Sequence, residues 1–381
     1  MSSSVIERLK TQSHSPWSFA TFMETALYDP KVGYYMKDRQ KLGKDGDFYT
    51  SNHVHPVFAE TFARFFLDVI TKENMKAEIC EWGAGDGSFA CNILAYMREQ
   101  SPEVFEKMTY YIIESSPYHQ SILLDRLALF KKQIKIYSTL EELKKEVTHF
   151  QGIIFSNELI DAFPVHIIEK TSEGLKEVML EVEGEHLAEK LMTSENNQVL
   201  NWLDKFGPTT LPEGHRFEVS LSMKEWLVNV STWLEKGLLV TVDYGYRNEE
   251  FQWPERKDGS IRGYRNHEMV KDPLKYPGSM DLTSHIQWDA YEQIAKNQGL
   301  TMVCHDRQDK FLLKAGLFSF LQSPTDMNPF SDVFKKNRAI QSLVHPEGIS
   351  TSFQVNVQGR GLTQVEKYLM FQEDPYQLKK P

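Results

Sequence analysis

The sequence predicts an α/β protein whose central sheet is mostly parallel and ends in an antiparallel strand. Strand-like and helix-like segments alternate over residues 77–160, which is typical of parallel strands joined by helical crossovers. A glycine-rich turn follows the first of these strands, and acidic side chains follow several others. Because ligands bind beyond the carboxyl ends of strands in such sheets, this pattern also predicts a binding site.

The elements of the core are expected in a regular order. Apolar periodicity predicts a helical N-terminal region, with helices over 17–27 and 56–70. Short apolar runs then predict strands over 77–82, 110–113, 134–137, 152–155, 238–242, 301–305 and 353–358. Helical patterns separate them over 89–98, 117–130, 222–234 and 288–299.

Two segments interrupt this order. Three consecutive strand-like runs over 165–191 predict an inserted antiparallel meander, and residues 245–285 show little regular pattern. A loop of that length inside a compact domain is more often functional than structural filler. The predicted organisation is therefore a helical cap or lid over 1–75, a core domain over 76–164 and 221–381, and a β-meander over 165–220.

Composition limits the classes of function. The 381 residues carry a net charge of -10, which is unfavourable for sequence-independent binding of nucleic acid. The three cysteines, Cys80, Cys91 and Cys304, lack the spacing of a disulfide framework or a zinc site, so we expect no metal and a cytoplasmic location. We also expect no secretion signal in residues 1–10 and no membrane span, because no apolar run approaches about 18 residues.

The turn Glu81-Trp82-Gly83-Ala84-Gly85-Asp86-Gly87 is the strongest signal for a ligand. Alternating glycines let a ligand approach the backbone closely, at Ala84 as well as at Gly83, Gly85 and Gly87. A dinucleotide site would place a glycine at Ser88, and its pyrophosphate would be repelled by Glu81. S-adenosylmethionine (SAM) carries an ammonium group that Glu81 can help to hold, so this turn favours SAM as the cofactor.

Further side chains complete the expected cofactor site. Glu114 ends the second strand, where a carboxylate can accept hydrogen bonds from both ribose hydroxyls. Asn157 ends the fourth strand and is assigned to the same ligand. Tyr35, Thr50 and Ser51 lie in a polar N-terminal segment that we expect to act as a lid, although an ordinary solvated loop explains that segment equally well.

The sequence resembles the MidA-like class I SAM-dependent methyltransferases over almost its whole length. The resemblance is carried by motifs in a specific order, namely Leu27-Tyr28-Asp29-Pro30, Gly46-Asp47-Phe48-Tyr49-Thr50-Ser51, Glu81 to Gly87, Ser156-Asn157-Glu158-Leu159-Ile160-Asp161-Ala162-Phe163-Pro164, Val242-Asp243-Tyr244-Gly245 and Asp281-Leu282-Thr283-Ser284-His285. It implies a Rossmann-like domain with a helical extension and an insertion. It also implies protein arginine methylation, the activity of a mitochondrial complex I assembly factor in that family.

The sequence departs from the family pattern at the cofactor turn and near the N-terminus. Ala84 stands where the family usually has proline, and Asp86 stands where arginine is common. Asn52-His53-Val54-His55 replaces a Pro-Glu-Ile-Ser segment, which removes a carboxylate. These departures affect the expected acceptor more than the expected cofactor.

If the acceptor is an arginine, its permanently charged guanidinium needs carboxylates to hold it. Glu158 and Asp161 follow the fourth strand and are the predicted clamp, although they can also be a buried hydrogen-bond partner and a turn cap. His267 and His285 in the long loop are candidate proton acceptors. A protein substrate is therefore favoured. A small-molecule methyltransferase, a non-catalytic SAM-binding assembly factor and a nicotinamide-dependent oxidoreductase remain as alternatives.

Overall fold

The chain folds into two compact units. The computed structural model describes residues 4–12, 15–38, 55–323, 328–346 and 348–376. The first unit, which we name the meander unit, comprises Met1–Phe48, Glu158–Val230 and Tyr244–Gln298. The second, which we name the sheet unit, comprises Tyr49–Asn157, Ser231–Asp243 and Gly299–Pro381.

Helices and strands occur throughout both units. The α-helices are α1 (Val5–Gln12), α2 (Phe19–Tyr28), α3 (Val57–Lys72), α4 (Ser88–Gln100), α5 (Pro102–Glu106), α6 (Pro117–Arg126), α7 (Leu140–Lys144), α8 (Asn197–Phe206), α9 (Leu221–Trp233), α10 (Trp288–Asn297), α11 (Gln308–Lys314), α12 (Asp332–Val344) and α13 (Leu369–Gln372). The β-strands are β1 (Trp17–Ser18), β2 (Glu78–Trp82), β3 (Thr109–Ile113), β4 (Ile134–Tyr137), β5 (Phe150–Asn157), β6 (His166–Thr171), β7 (Gly174–Glu183), β8 (His186–Met192), β9 (Arg216–Val219), β10 (Leu234–Asp243), β11 (Gly245–Tyr246), β12 (Arg262–Arg265), β13 (Glu268–Val270), β14 (Asp281–Thr283), β15 (Ile286–Gln287), β16 (Thr301–Arg307) and β17 (Gln354–Arg360).

The main sheet of the sheet unit has the strand order β16-β17-β10-β5-β2-β3-β4. Strands β10, β5, β2, β3 and β4 are parallel, whereas β17 is antiparallel to both of its neighbours. The mostly parallel sheet with a terminal antiparallel strand is therefore confirmed. The Rossmann-like arrangement brings the carboxyl ends of β2, β3 and β5 to one edge.

An aromatic core holds α3 and α4 against this sheet. The rings of Phe89 on α4 and Phe155 on β5 stack with centroids 4.3 Å apart, and Phe62 on α3 packs 5.3 Å from Phe155. Phe311 on α11 stacks on the other side of Phe62 at 5.2 Å. Burying such large side chains supplies much of the stability of a domain, so this core fixes the strand β5 that leads toward Glu158.

The meander unit contains an antiparallel sheet of order β1-β7-β6-β9, with β8 on the other edge of β7. The three strands expected over 165–191 are present as β6, β7 and β8. Helix α2 buries Phe19 and Phe22 in the same apolar cluster as Val165 and Ile167. The N-terminal residues 4–38 and the insertion thus share one core, because each contributes an apolar face that neither can bury alone.

The structure differs from the predicted organisation in several places. Residues 1–75 are divided, since α3 belongs to the sheet unit while α1 and α2 belong to the meander unit. The segment 245–285 contains the strands β11 to β14 and is not one irregular loop. Helix α8, strand β9 and helix α12 were not predicted, and α6 ends at Arg126 instead of 130. Strands of two to four residues are too short to show a periodic pattern.

The tight pairing of β5 with β10 depends on a glycine in β10. Gly237 on β10 is paired with Gly152 on β5, and its φ of 137° is a conformation that side chains rarely adopt. A Cβ atom at Gly237 would also collide with the carbonyl oxygen of Gly152, so β10 can approach β5 here because Gly237 lacks a side chain. Gly152 allows a close approach on the other side of β5, since a Cβ atom there would collide with the carbonyl oxygen of Glu78 on β2.

Replacing Gly237 with alanine is expected to lower the free energy of unfolding of the sheet unit by about 3–5 kcal/mol. The new Cβ atom adds backbone strain and forces β10 away from β5. Urea unfolding followed by tryptophan fluorescence measures the loss, since Trp82 and Trp233 lie in or beside this sheet.

The variant Gly184→Ala is the matched control. Gly184 also has a positive φ, of 65°, but its Cβ position has open space within 4 Å. Gly184→Ala is expected to lower the free energy of unfolding by only about 1 kcal/mol, because it adds backbone strain but no collision. Equal losses for the two variants would show that the approach of Gly152 to Gly237 does not limit stability.

Candidate functional site

The turn after β2 is shaped by its glycines. Gly83, Gly85 and Gly87 have φ values of 75°, 54° and 76°, in the left-handed region. A Cβ atom at Gly87 would lie 2.5 Å from a methyl carbon of Leu123, so the turn packs closely on α6. The result is a tight turn at the N-terminus of α4, in which Gly83 is exposed and no Cβ atom at the three glycines covers the backbone.

Asp86 has a structural task in this turn. Its carboxylate accepts a hydrogen bond from the Ser88 N–H at 3.0 Å and forms an ion pair with Arg126 at 3.2 Å. It thereby caps the first turn of α4 and ties the turn to α6. This accounts for an acidic residue where the resemblance led us to expect an arginine.

Glu114 braces the same turn. Its Oε2 atom accepts from the Gly85 N–H at 3.0 Å, and its Oε1 atom accepts from the Ser116 N–H at 2.8 Å. The side chain is buried, and the His119 ring lies 3.8 Å away. Because a carboxylate has roughly four acceptor positions, Glu114 can hold the turn and still accept from ribose hydroxyls. The placement fits its predicted role.

Glu81 is a buried acid at the end of β2. Its Oε2 atom accepts a hydrogen bond of 2.8 Å from the Tyr110 hydroxyl on β3. Burial raises the pKa of Glu81 to about 8, opposed by the Tyr110 hydrogen bond and assisted by the nearby charges of Asp86 and Glu114. An acid-rich site of this kind attracts a cationic ligand and repels a pyrophosphate. These residues therefore fit SAM, and a contact of Glu81 with its ammonium group stays a prediction.

The remaining predicted cofactor ligands are placed differently. Asn157 is the half-buried last residue of β5, in the sheet unit. Tyr35 lies in the meander unit, where its hydroxyl donates to Asp281. Thr50 and Ser51 lie outside the described residues. Binding of the cofactor by these four side chains thus stays a prediction.

Two tyrosine–aspartate pairs lie in the meander unit. The Tyr244 hydroxyl donates to Oδ2 of Asp161 over 2.6 Å, and the Tyr35 hydroxyl donates to Oδ1 of Asp281 over 2.7 Å. Both carboxylates are buried. These four residues, which we name the tyrosine–aspartate cluster, join three distant parts of the chain.

Backbone hydrogen bonds hold the first of these pairs. The Ser284 N–H donates to the carbonyl oxygen of Asp161 at 2.8 Å, and the Ile286 N–H donates to that of Tyr244 at 3.0 Å. Burial raises the pKa of Asp161 to about 6, although the Tyr244 hydrogen bond lowers it. The carboxylate is therefore charged at neutral pH and takes up a proton in mild acid.

Glu158 belongs to the same acidic surroundings. It is a half-buried residue in the left-handed conformation, with a φ of 50°, immediately after β5. Burial raises the pKa of Tyr264, the nearby charge of Arg262 lowers it, and the charges of Asp161, Asp281 and Glu158 raise it. A strained backbone beside several carboxylates is more common at functional sites than elsewhere. Glu158 and Asp161 are thus brought into one environment.

The two predicted histidines have different surroundings. The His285 ring is buried 4.4 Å from the ring of Tyr246 and 5.1 Å from that of Tyr244. Burial, with the charges of Arg262 and Arg256, lowers the pKa of His285 to about 3, so it is neutral and a poor proton acceptor. His267 lies at the exposed turn between β12 and β13.

Sequence reasoning missed two residues that define these surroundings. Tyr244 directly follows β10, so the rule that selected residues after β5 would also have selected it. Tyr110 had no such signal, because its contact with Glu81 joins two separate strands. Among the described residues, no group of three or more His, Cys, Asp or Glu side chains is placed to hold a metal ion, and no helix is long and apolar enough to cross a bilayer.

Comparisons with known proteins agree with this description. The chain is 23% identical over 369 residues to the protein arginine methyltransferase NDUFAF7, mitochondrial, of Danio rerio, covering 89% of this chain and 82% of that protein. It is 23% identical over 321 residues to the NDUFAF7 homolog of Drosophila melanogaster, which carries the same description, covering 78% and 70%.

The fold matches that of a solved structure, and the family follows from the sequence. A Burkholderia thailandensis protein crystallised with S-adenosyl-homocysteine superposes with a TM-score of 0.81 at 24% identity, covering 94% of this chain and 91% of that chain. Residues 59–305, more than half of the chain, match the family described as "Putative S-adenosyl-L-methionine-dependent methyltransferase". This chain therefore belongs to that family, and it is an S-adenosyl-L-methionine-dependent methyltransferase.

Proposed function

We propose that this methyltransferase transfers the methyl group to an arginine side chain of a protein. The acidic environment of Glu158, Asp161 and Asp281 in the meander unit is the observation that carries the proposal. A guanidinium is charged at every accessible pH, so a site that binds it needs carboxylates held in place. The names of the relatives from Danio rerio and Drosophila melanogaster support the same acceptor.

The tyrosine–aspartate cluster orients these carboxylates. Each aspartate is held by a tyrosine hydroxyl, and Asp161 is held in addition through its backbone. A neutral hydroxyl donor fixes a carboxylate without cancelling its charge, which leaves the charge available to a cationic ligand. An arginine or lysine in the place of Tyr244 would instead compete with the substrate.

The chemistry divides between the cofactor and this chain's own residues. SAM, when bound, supplies an electrophilic methyl group on a sulfonium. Glu158 and Asp161 hold the guanidinium and favour the orientation in which one nitrogen is the nucleophile. Transfer would form a nitrogen–carbon bond and break the bond between the methyl carbon and the sulfonium sulfur, so that S-adenosyl-homocysteine leaves. The nitrogen would lose one proton, and Asp161 is placed to accept it because its pKa of about 6 lies near neutrality. His285 is less suited, since it is neutral but very weakly basic.

The variants Glu158→Gln and Asp161→Asn are expected to lower methyl transfer by about 100-fold or more while leaving cofactor binding intact. Each removes one carboxylate with little change of shape. Incubation with methyl-labelled SAM and a protein extract, followed by mass spectrometry, measures the amount of label and the residue that carries it. Binding of S-adenosyl-homocysteine by calorimetry shows that the cofactor site is preserved.

The exposed acid Glu173 provides a matched control. It lies between β6 and β7 with its side chain 77% exposed, so Glu173→Gln should transfer at the normal rate. Label on lysine or on a small molecule, or normal transfer by Asp161→Asn, would refute the proposed acceptor and its assignment to this cluster.

The rate of transfer is expected to depend on the protonation of Asp161. Because its pKa is raised to about 6, the charged form is present above that pH and is lost below it. At saturating cofactor, kcat/KM for an arginine peptide should fall about tenfold per pH unit below about 6. In Asp161→Asn the residual activity should lack this inflection, and an unchanged inflection would assign it to another group.

A further inference from the structure

Glu81 is an acid buried without a cation. Its side chain is 4% exposed, and no ion pair joins it to a lysine, arginine or histidine within the described ranges. Its hydrogen bond comes instead from Tyr110, which is fully buried. A carboxylate in such a place is stable in its charged form only if something else supplies the positive charge.

The sheet register brings Tyr110 and Glu81 together. Strands β2 and β3 are parallel, with Ile79 opposite Tyr110 and Glu81 opposite Ile112. Because side chains alternate along a strand, Tyr110 and Glu81 project from the same face as diagonal neighbours. The 2.8 Å hydrogen bond therefore fixes the orientation of the Glu81 carboxyl group, near the end of β2 where the glycine turn begins.

The other titratable groups near Glu81 do not neutralise it. Asp86 and Glu114 are both acids and disfavour a further negative charge. The nearby cation Arg126 is paired with Asp86, and the His119 ring lies beside Glu114. The adjacent thiol of Cys80 is buried, which raises its pKa beyond the neutral range. Among the described residues, no side chain therefore balances a negative charge on Glu81, and a cationic ligand can do so.

We propose that Tyr110 is a positioning residue that orients the Glu81 carboxyl group toward the ammonium group of the cofactor, and that Glu81 releases a proton when the cofactor binds. The proton leaves the Glu81 carboxyl group for the solvent, and the cofactor remains an ammonium. The carboxylate then has a cation on one side and the Tyr110 hydroxyl on the other. The inference rests on the cofactor of the family and is independent of the methyl acceptor.

Calorimetric titration with S-adenosyl-homocysteine in buffers of different ionisation enthalpy measures the released protons directly. With a pKa raised to about 8 by burial, Glu81 should release close to one proton per ligand at about pH 7 and little at about pH 9. The affinity of the natural sequence should accordingly fall about tenfold per pH unit below about 8.

Two variants separate the carboxyl group from its positioning residue. Glu81→Gln should abolish the release of a proton and remove the dependence of affinity on pH in this range. Tyr110→Phe should keep the release, lower the affinity at about pH 7 by about tenfold, and move the affinity profile to higher pH, because the charged form has lost a donor.

The variant Tyr111→Phe is the control for the same strand. Tyr111 is also buried but faces Phe150 and Tyr137, away from Glu81, so its loss should leave affinity and proton count unchanged. Thermal unfolding of each variant reports whether it is folded. The proposal would be overturned if the natural sequence released no proton or if release persisted in Glu81→Gln. It would also be overturned if the dependence of affinity on pH were the same in Tyr110→Phe and Tyr111→Phe.

Discussion

The parallel pairing of β5 with β2 on one side and β10 on the other is the constraint on which the rest of the structure depends. It fixes where the chain leaves the sheet, at Trp82, Asn157 and Asp243. The glycine turn follows the first of these positions, Glu158 the second and Tyr244 the third. Gly152 and Gly237 allow the close approach of the backbones in this pairing, and Phe89 stacks on Phe155 of β5.

Both units hold the carboxylates of the candidate site with neutral donors. Glu81 and Asp161 each accept from a tyrosine hydroxyl, and Glu114 accepts from backbone N–H groups. Asp86, which has a structural role in the turn, differs from them because a cation, Arg126, is paired with it. Burying a charge without a counter-ion is costly, so a fold retains it where a cationic ligand offsets the cost. A sulfonium cofactor and a guanidinium acceptor are two such ligands.

Most strands of the sheet unit can be predicted from the local sequence pattern, whereas several strands of the meander unit cannot. The strands before Gly83 and after Thr148 are buried segments that end at turn-forming or polar residues, so their positions can be predicted from the sequence. Strands such as β12 and β14 have only three or four residues and form because they pair with each other. Their hydrogen bonds join residues about twenty apart, which no local pattern reveals.

The sequence by itself determined the mostly parallel sheet with its terminal antiparallel strand, the glycine turn and the cofactor, because spacing and residue type are sufficient to specify a backbone turn and the charge beside it. Only the tertiary structure decided which side chains act together. It paired Glu81 with Tyr110, Asp161 with Tyr244 and Asp281 with Tyr35, and it placed His285 where burial and two arginine charges keep the imidazole neutral. The protonation of a carboxyl or an imidazole depends on burial and on neighbours from other segments, which exist only once the chain has folded.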